Sequence, residues 1–244
     1  MDVLPPRTWF PNAQVLISRL NRGNGRGSHL FSIAIKGGHN AELHNHNDIG
    51  SYTIMLDGVE MCGDPGGEVY TRRTFSGRRY DSKILNSYGH PVPVVGGKLQ
   101  KTGRKAAAKV LKTEFTDGVD TIVLDCTAAY AAPDLKSLVR TMVFDRRHGT
   151  VTVTNEVAFS KPTAFEVPVV TYRDWTKDDG AMRFKFKHPS GKHAMGLEVK
   201  ASAPLAFGET VIDNPGRTPP KRLAFKFAGP VTTASVTMTF YPQN

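Results

Sequence analysis

The sequence predicts an all-β fold, a large antiparallel β-sandwich of the supersandwich kind with very little helix. Three observations predict it. Apolar and polar residues alternate with period two in several runs, as in Thr150-Val-Thr-Val-Thr154, where a half-buried strand turns every second side chain to the core. Sixteen prolines and 23 glycines break the 244 residues at short intervals, so the elements between them are short. Apolar stretches of helical period with capping residues are missing, and the only helical turn expected is a brief one at 79–85.

Strands are expected at 14–18, 30–36, 52–56 and 59–62, set apart by polar, glycine-rich and basic stretches. The run 21–27 (Asn-Arg-Gly-Asn-Gly-Arg-Gly) reads as a flexible loop, and 68–89 as a long aperiodic one. A loop of that length in a compact domain usually has a function. Further on, 106–114 and 119–126 flank Asp117-Gly118, a dipeptide that tolerates positive φ and favours a tight hairpin. The strands 137–144 and 150–159 follow, joined through 146–149. Then come 164–172, 181–187, 194–201, 205–212, 221–227 and 231–241, with turns at Asp178-Asp179-Gly180 and Pro189-Ser190-Gly191. With no repeat and no linker, residues 1–244 are expected to form a single domain.

Composition narrows the function. Thirty-two Lys+Arg against 22 Asp+Glu give a net charge of +10, partly clustered at Arg19, Arg22 and Arg26; at Arg72, Arg73, Arg78, Arg79 and Lys83; and at Lys98, Lys101, Arg104 and Lys105. Neither a basic recognition helix nor basic residues interleaved with aromatics accompany them, so no nucleic-acid partner is expected, whereas an acidic polysaccharide meets the same field. No apolar run approaches the ~18–20 residues of a membrane span. Residues 1–10 hold two prolines, an aspartate and an arginine and do not read as a signal peptide. Two cysteines without a CxxC spacing exclude a disulfide scaffold.

The chemistry concentrates in Gly37-Gly-His-Asn-Ala-Glu-Leu-His44-Asn-His46-Asn-Asp48. On an extended strand His44 and His46 would share a face, and paired imidazoles are poor core fillers. Asp64, in Gly63-Asp-Pro-Gly-Gly67, and His90, in Tyr88-Gly-His-Pro91, sit at sharp turns and can complete a set of imidazoles and one carboxylate suited to Zn²⁺. Asp48 is an alternative ligand, or the acceptor that orients an imidazole. Cys62 is not needed. Tyr70, Tyr80 and Tyr88 are expected to pack, and His39, His148, His188 and His193, in turns or at strand ends, to be solvated.

At this point the sequence resembles a known family. GGHNAELHNHNDIGSY (37–52), DGVEMCGDPGGEVYTRRTFS (57–76) and RRYDSKILNSYGHPVPVV (78–95) resemble the C-terminal β-sandwich of the heparinase II/III-like polysaccharide lyases. The resemblance implies zinc at His46, Asp64 and His90, and places His44 as the histidine facing the substrate cleft. It implies β-elimination on uronic-acid polysaccharides of the heparin, heparan sulfate or alginate kind, and a periplasmic or secreted location. Arg72, Arg73, Arg78 and Arg79 are expected to bind substrate carboxylates or sulfates. In that family an N-terminal (α/α) toroid supplies the catalytic tyrosine and a further histidine, and residues 1–244 contain no such toroid. The expectation is therefore part of an active site, inactive without its helical partner. Two alternatives stand beside it. One is a non-catalytic module that binds acidic glycans. The other is a cupin-type metalloenzyme, disfavoured because Gly50 and Ser51 stand where its glutamate belongs.

Overall fold

Nineteen strands are present among residues 4–20 and 29–243, the part of the chain that the computed structural model describes. In chain order they are β1 (Arg7–Phe10), β2 (Val15–Leu20), β3 (Phe31–Lys36), β4 (His39–Asn40), β5 (Tyr52–Leu56), β6 (Val59–Cys62), β7 (Val94–Val95), β8 (Gly103–Ala107), β9 (Lys109–Phe115) and β10 (Val119–Asp125). Then follow β11 (Leu135–Asp145), β12 (Thr150–Thr163), β13 (Phe165–Thr171), β14 (Trp175–Lys177), β15 (Arg183–Lys187), β16 (Ala194–Ala201), β17 (Leu205–Val211), β18 (Lys221–Phe227) and β19 (Val231–Gln243). The only helices among the described residues are four 3₁₀ turns of three residues each.

An eight-stranded antiparallel sheet, ordered β14-β15-β16-β19-β12-β11-β10-β9, forms one layer. A five-stranded sheet, β1-β2-β3-β5-β6, and a four-stranded sheet, β17-β18-β13-β7, pack against it. Phe31 meets Phe144, and Tyr52 meets Phe240, across the first contact; Phe184 meets Phe225 across the second. The two smaller sheets touch along β6 and β13, where the Gly63 N–H donates to the Val170 carbonyl and the Thr171 hydroxyl to the Met61 carbonyl. One continuous apolar cluster, from Leu16 to Phe240, fills the space between the layers. Alternation explains it: Val151, Val153 and Val157 on β12, and Ala234, Val236, Met238 and Phe240 on β19, all point inward.

The long β-elements lie where period two predicts them, several to the residue. Three differences have physical causes. The span 106–114 is not one strand. It breaks at Ala108, because β8 pairs with β4 while β9 turns to pair with β10. The Asp117-Gly118 hairpin forms, but neither residue takes positive φ. Instead the Thr116 and Val119 backbones bond each other, and the Thr116 hydroxyl accepts from the Val119 N–H. The helical turn at 79–85 is reduced to a 3₁₀ turn at Arg79–Asp81. The loop expected at 21–27, with Arg22 and Arg26, lies outside the described residues.

Candidate metal centre and substrate face

Two loops and one strand end build the site. The loop 41–51, between β4 and β5, carries His44 and His46; Asp64 follows β6; His90 lies late in the long segment between β6 and β7, directly after the 3₁₀ turn Ser87–Gly89. Both Asp64 and His90 come directly after a glycine with no room for a side chain. A Cβ on Gly63 (φ +152°) would stand 2.6 Å from the Thr53 Cα, and one on Gly89 would stand 2.2 Å from the Lys83 carbonyl oxygen. These close approaches let the chain turn and aim the next side chain inward.

The donor atoms of His46, Asp64 and His90 lie within 4.8 Å of one another. The His46 and His90 rings are 5.2 Å apart, and Asp64 Oδ2 is 3.5 Å from His90 Nδ1, long for a hydrogen bond. His90 is fully buried, yet neither ring nitrogen has a hydrogen-bond partner among the described residues. Buried imidazole nitrogens rarely stay unpaired. A metal ion bonded to one of them fits this arrangement, and two nitrogens with one carboxylate suit Zn²⁺. Asp48 lies outside the group, its Oδ1 taken by Lys36 Nζ at 2.5 Å.

The field around the cluster favours a cation. Burial pushes the Asp64 carboxyl up, but the contact with His90, the charges of His90 and His46, and the Gly66 N–H outweigh it and hold the group at about 2. Burial, with the charge of His90, lowers the His46 imidazole. At neutral pH this pair therefore stands as carboxylate and free base, the forms a metal takes. Burial also opposes protonation of His90, but Asp64 prevails and raises it, so a proton and an incoming ion compete for this ring.

Glu60, on β6, is pushed to about 7 by burial and then by Asp64. The folded chain thus keeps a proton that the unfolded chain gives up near pH 4.5. Stability should fall as pH rises from about 4.5 to about 7 on this account. Glu60→Gln should flatten that slope in urea titrations across the window; an identical slope in both proteins would refute the assignment.

Three buried side chains hold the loops. Arg140, on β11, is 1% exposed. It donates to the carbonyls of Gly50 and Pro91, from Nη1 in each case, and from Nε to Asn155 Oδ1 at 2.8 Å, so one guanidinium ties the loop of His46 to the segment of His90. Gln100 accepts from the Ile49 N–H and donates back to the Ile49 carbonyl, at 2.9 and 2.8 Å. Arg222 donates to the Tyr88 carbonyl, packs over the Tyr88 ring and pairs with Glu166.

The histidine pair does not lie on a strand. Residues 41–51 form turns, and His44 has φ +54°, because Arg79 draws the carbonyls of His44 and Asn45 to its guanidinium at 3.0 Å each. His46 turns inward to His90. His44 turns outward and stacks on Tyr70, with ring centres 6.2 Å apart and planes 7° from parallel. Tyr70 is expected to pack, but it is 48% exposed; its ring lies between His44 and Phe75, edge-on to the latter at 5.4 Å.

The four arginines divide into two kinds. Arg79 builds the His44 turn, and Arg73 pairs at 2.6 Å with the buried Glu68. Among the described residues, exposed Arg78 pairs only with exposed Asp81, and exposed Arg72 has no ionic partner. The expectation that His188 and His193 are solvated is wrong. His188 is buried, and the two rings lie 4.1 Å apart where the turn between β15 and β16 folds against the β5–β6 turn.

No protein-family model matches the sequence, and no curated protein matches it. Solved structures do. The heparan sulfate lyase HepC from Pedobacter heparinus matches with TM-score 0.74 and 17% identity, over 98% of this chain and 36% of its own. A heparinase III gene product matches with TM-score 0.79 and 14% identity, over 98% of this chain and 37% of its own. The chain has the fold of a segment of the heparan sulfate lyases. A further heparinase III gives TM-score 0.74 at 13% identity, again over 98% and 37%. The chain therefore spans little more than a third of the length of these lyases. Among the described residues no helix is long and apolar enough to cross a membrane.

Proposed function

We propose that this chain is the zinc-holding β-sandwich of a polysaccharide lyase that acts by β-elimination on uronic-acid glycans of the heparin, heparan sulfate or alginate kind. The observation that carries the reading is an outward-facing His44 two residues from the metal cluster, on a fold shared with heparan sulfate lyases. The proton on C5 of a uronate becomes acidic only when the neighbouring carboxylate is neutralised, so such a cleft needs imidazole and guanidinium groups at its wall. His44 offers the imidazole, and Arg72 and Arg78 the exposed guanidinium groups, Arg78 by exchanging its exposed Asp81 partner for the glycan. Arg73 and Arg79 shape the wall instead of contacting the glycan. Zinc at His46, Asp64 and His90 fastens the loop that presents His44.

The remaining catalytic groups belong to a helical toroid domain. Tyr70 and Phe75, 48% and 69% exposed and in contact, with Leu43, 93% exposed and next to His44 in sequence, are the apolar side chains that such a domain would cover. A periplasmic or secreted location follows from substrates of this size.

The test is incubation of the chain with heparin, heparan sulfate and alginate while binding and the absorbance of unsaturated uronate are followed. Binding that weakens steeply with salt, without turnover until the toroid is added, is expected. Arg72→Ala with Arg78→Ala should weaken binding about tenfold or more, at ~1.5–3 kcal/mol per shielded charged contact, whereas Lys226→Ala should not. No binding at low salt refutes the reading. Turnover by the chain alone refutes the division of labour.

A further inference from the structure

A second cluster of ligating side chains lies at the other end of the β5–β6 hairpin. Asp57 opens its turn with φ +49°, followed by Gly58 at φ +82°, the mirror-image turn that suits a two-residue hairpin. From that turn Asp57 Oδ2 lies 2.6 Å from His29 Nδ1 and 3.2 Å from His193 Nε2. The donor atoms of His29, Asp57 and His193 all lie within 4.8 Å of one another, as do those of the centre described above. Asp64 stands at the far end of the four-residue β6, so the two clusters are roughly 15 Å apart at ~3.3 Å per residue.

We propose that His29, Asp57 and His193 form a second site for a divalent ion of the zinc class. Two imidazoles and one carboxylate are a zinc donor set, and the carboxylate has an outer contact that orients it. Asp57 Oδ1 accepts from the Leu30 N–H at 2.8 Å, which fixes the carboxylate and leaves Oδ2 toward the imidazoles. The His29 and His193 rings are 4.9 Å apart. The His188 ring lies 4.1 Å from that of His193, tilted by 36°; its Nδ1 is engaged by Ser190 at 2.8 Å, and its Nε2 is buried without a hydrogen-bond partner among the described residues. His188 is thus a reserve donor beside the cluster.

An open pocket lined by His188, Gly191 and His193 gives the ion its way in. Lys185, Lys187 and Lys192 line it too, so a hard ion held mainly by charge, such as Ca²⁺, is disfavoured against one that bonds imidazole. An ion here joins the segment just before β3, through His29, to the β5–β6 turn and the β15–β16 turn, and so ties the five-stranded sheet to the eight-stranded one.

The test counts zinc. The full chain is stripped with a chelator, saturated with Zn²⁺, freed of unbound ion by gel filtration and analysed for metal. Asp57→Asn keeps the turn and the Leu30 contact while removing the charge; His193→Gln is a second variant, and circular dichroism checks the fold of each. Each folded variant should bind one equivalent less than the parent chain, whether or not His46→Ala removes another. If both hold as much zinc as the parent, these side chains are only a hydrogen-bonded cluster and the site does not exist.

Discussion

Arg140→Met should cost about 3 kcal/mol and weaken zinc binding by about 10- to 100-fold in a chain that still folds. The guanidinium sits inside the sandwich and serves three acceptors: the carbonyls of Gly50 and Pro91, and Asn155 Oδ1. Methionine fills much of the same volume but serves none, and each buried acceptor left unpaired costs ~1–3 kcal/mol. Part of that loss is returned, because Arg140 is a buried cation with no carboxylate partner among the described residues, and burial depresses its ionisation. The balance should lower the melting temperature by roughly 6–12 °C. The effect on zinc distinguishes this clamp from ordinary core packing. Gly50 and Pro91 belong to the two segments that bring His46 and His90 together, so loosening them spreads the donors. Val153→Ala, a core truncation away from those segments, should lower stability without changing zinc affinity. If Arg140→Met leaves zinc affinity intact, the guanidinium supports the core and not the centre.

The sandwich was legible because its cause is local. Period two in β12 and β19 follows from which face is wet, and Gly–Pro punctuation follows from turn geometry, so both survive in a single sequence. The cluster of His46, Asp64 and His90 was legible through its spacing and motif. Its setting was not. His44 leaves the strand conformation because Arg79, 35 residues away, binds two carbonyls, and no local pattern records that contact. Arg140 did leave a trace. It occupies an inward position in the alternation Leu138-Arg140-Met142-Phe144, as Asn155 does in Val151-Val153-Asn155-Val157. A charged or amide side chain in an inward register announces a buried polar clamp. Asp120 is a third case, inward beside Ile122 and Leu124, buried and met by Arg7 and Arg146. The second histidine cluster had no such trace, since His29, Asp57 and His193 come from three distant segments that only the folded layers unite.

Removing zinc from the centre at His46, Asp64 and His90 should lower stability by about 3–4 kcal/mol when free zinc stood 100- to 1,000-fold above its dissociation constant. The measurement belongs in the Asp57→Asn background, where the second cluster contributes nothing. An ion bound only by the folded chain adds its binding energy to folding, because the three donors are far apart in the unfolded chain. Melting should therefore fall by roughly 6–16 °C on chelation and recover on adding Zn²⁺. Addition of His46→Ala should abolish the response at small intrinsic cost, since His46 is only half-buried; His90 is a poorer target because truncating a fully buried ring also leaves a void. Acid should remove the effect through the imidazoles. Asp64 stays ionised down to about 2, so the donors that fail first as pH falls are His46 and His90, whose protonation competes with the metal. The zinc-dependent part of the stability should be present at neutral pH and lost as the pH drops through the imidazole range, well above the point where Asp64 titrates. A melting temperature indifferent to chelator at neutral pH would mean that His90 is buried for some reason other than a metal.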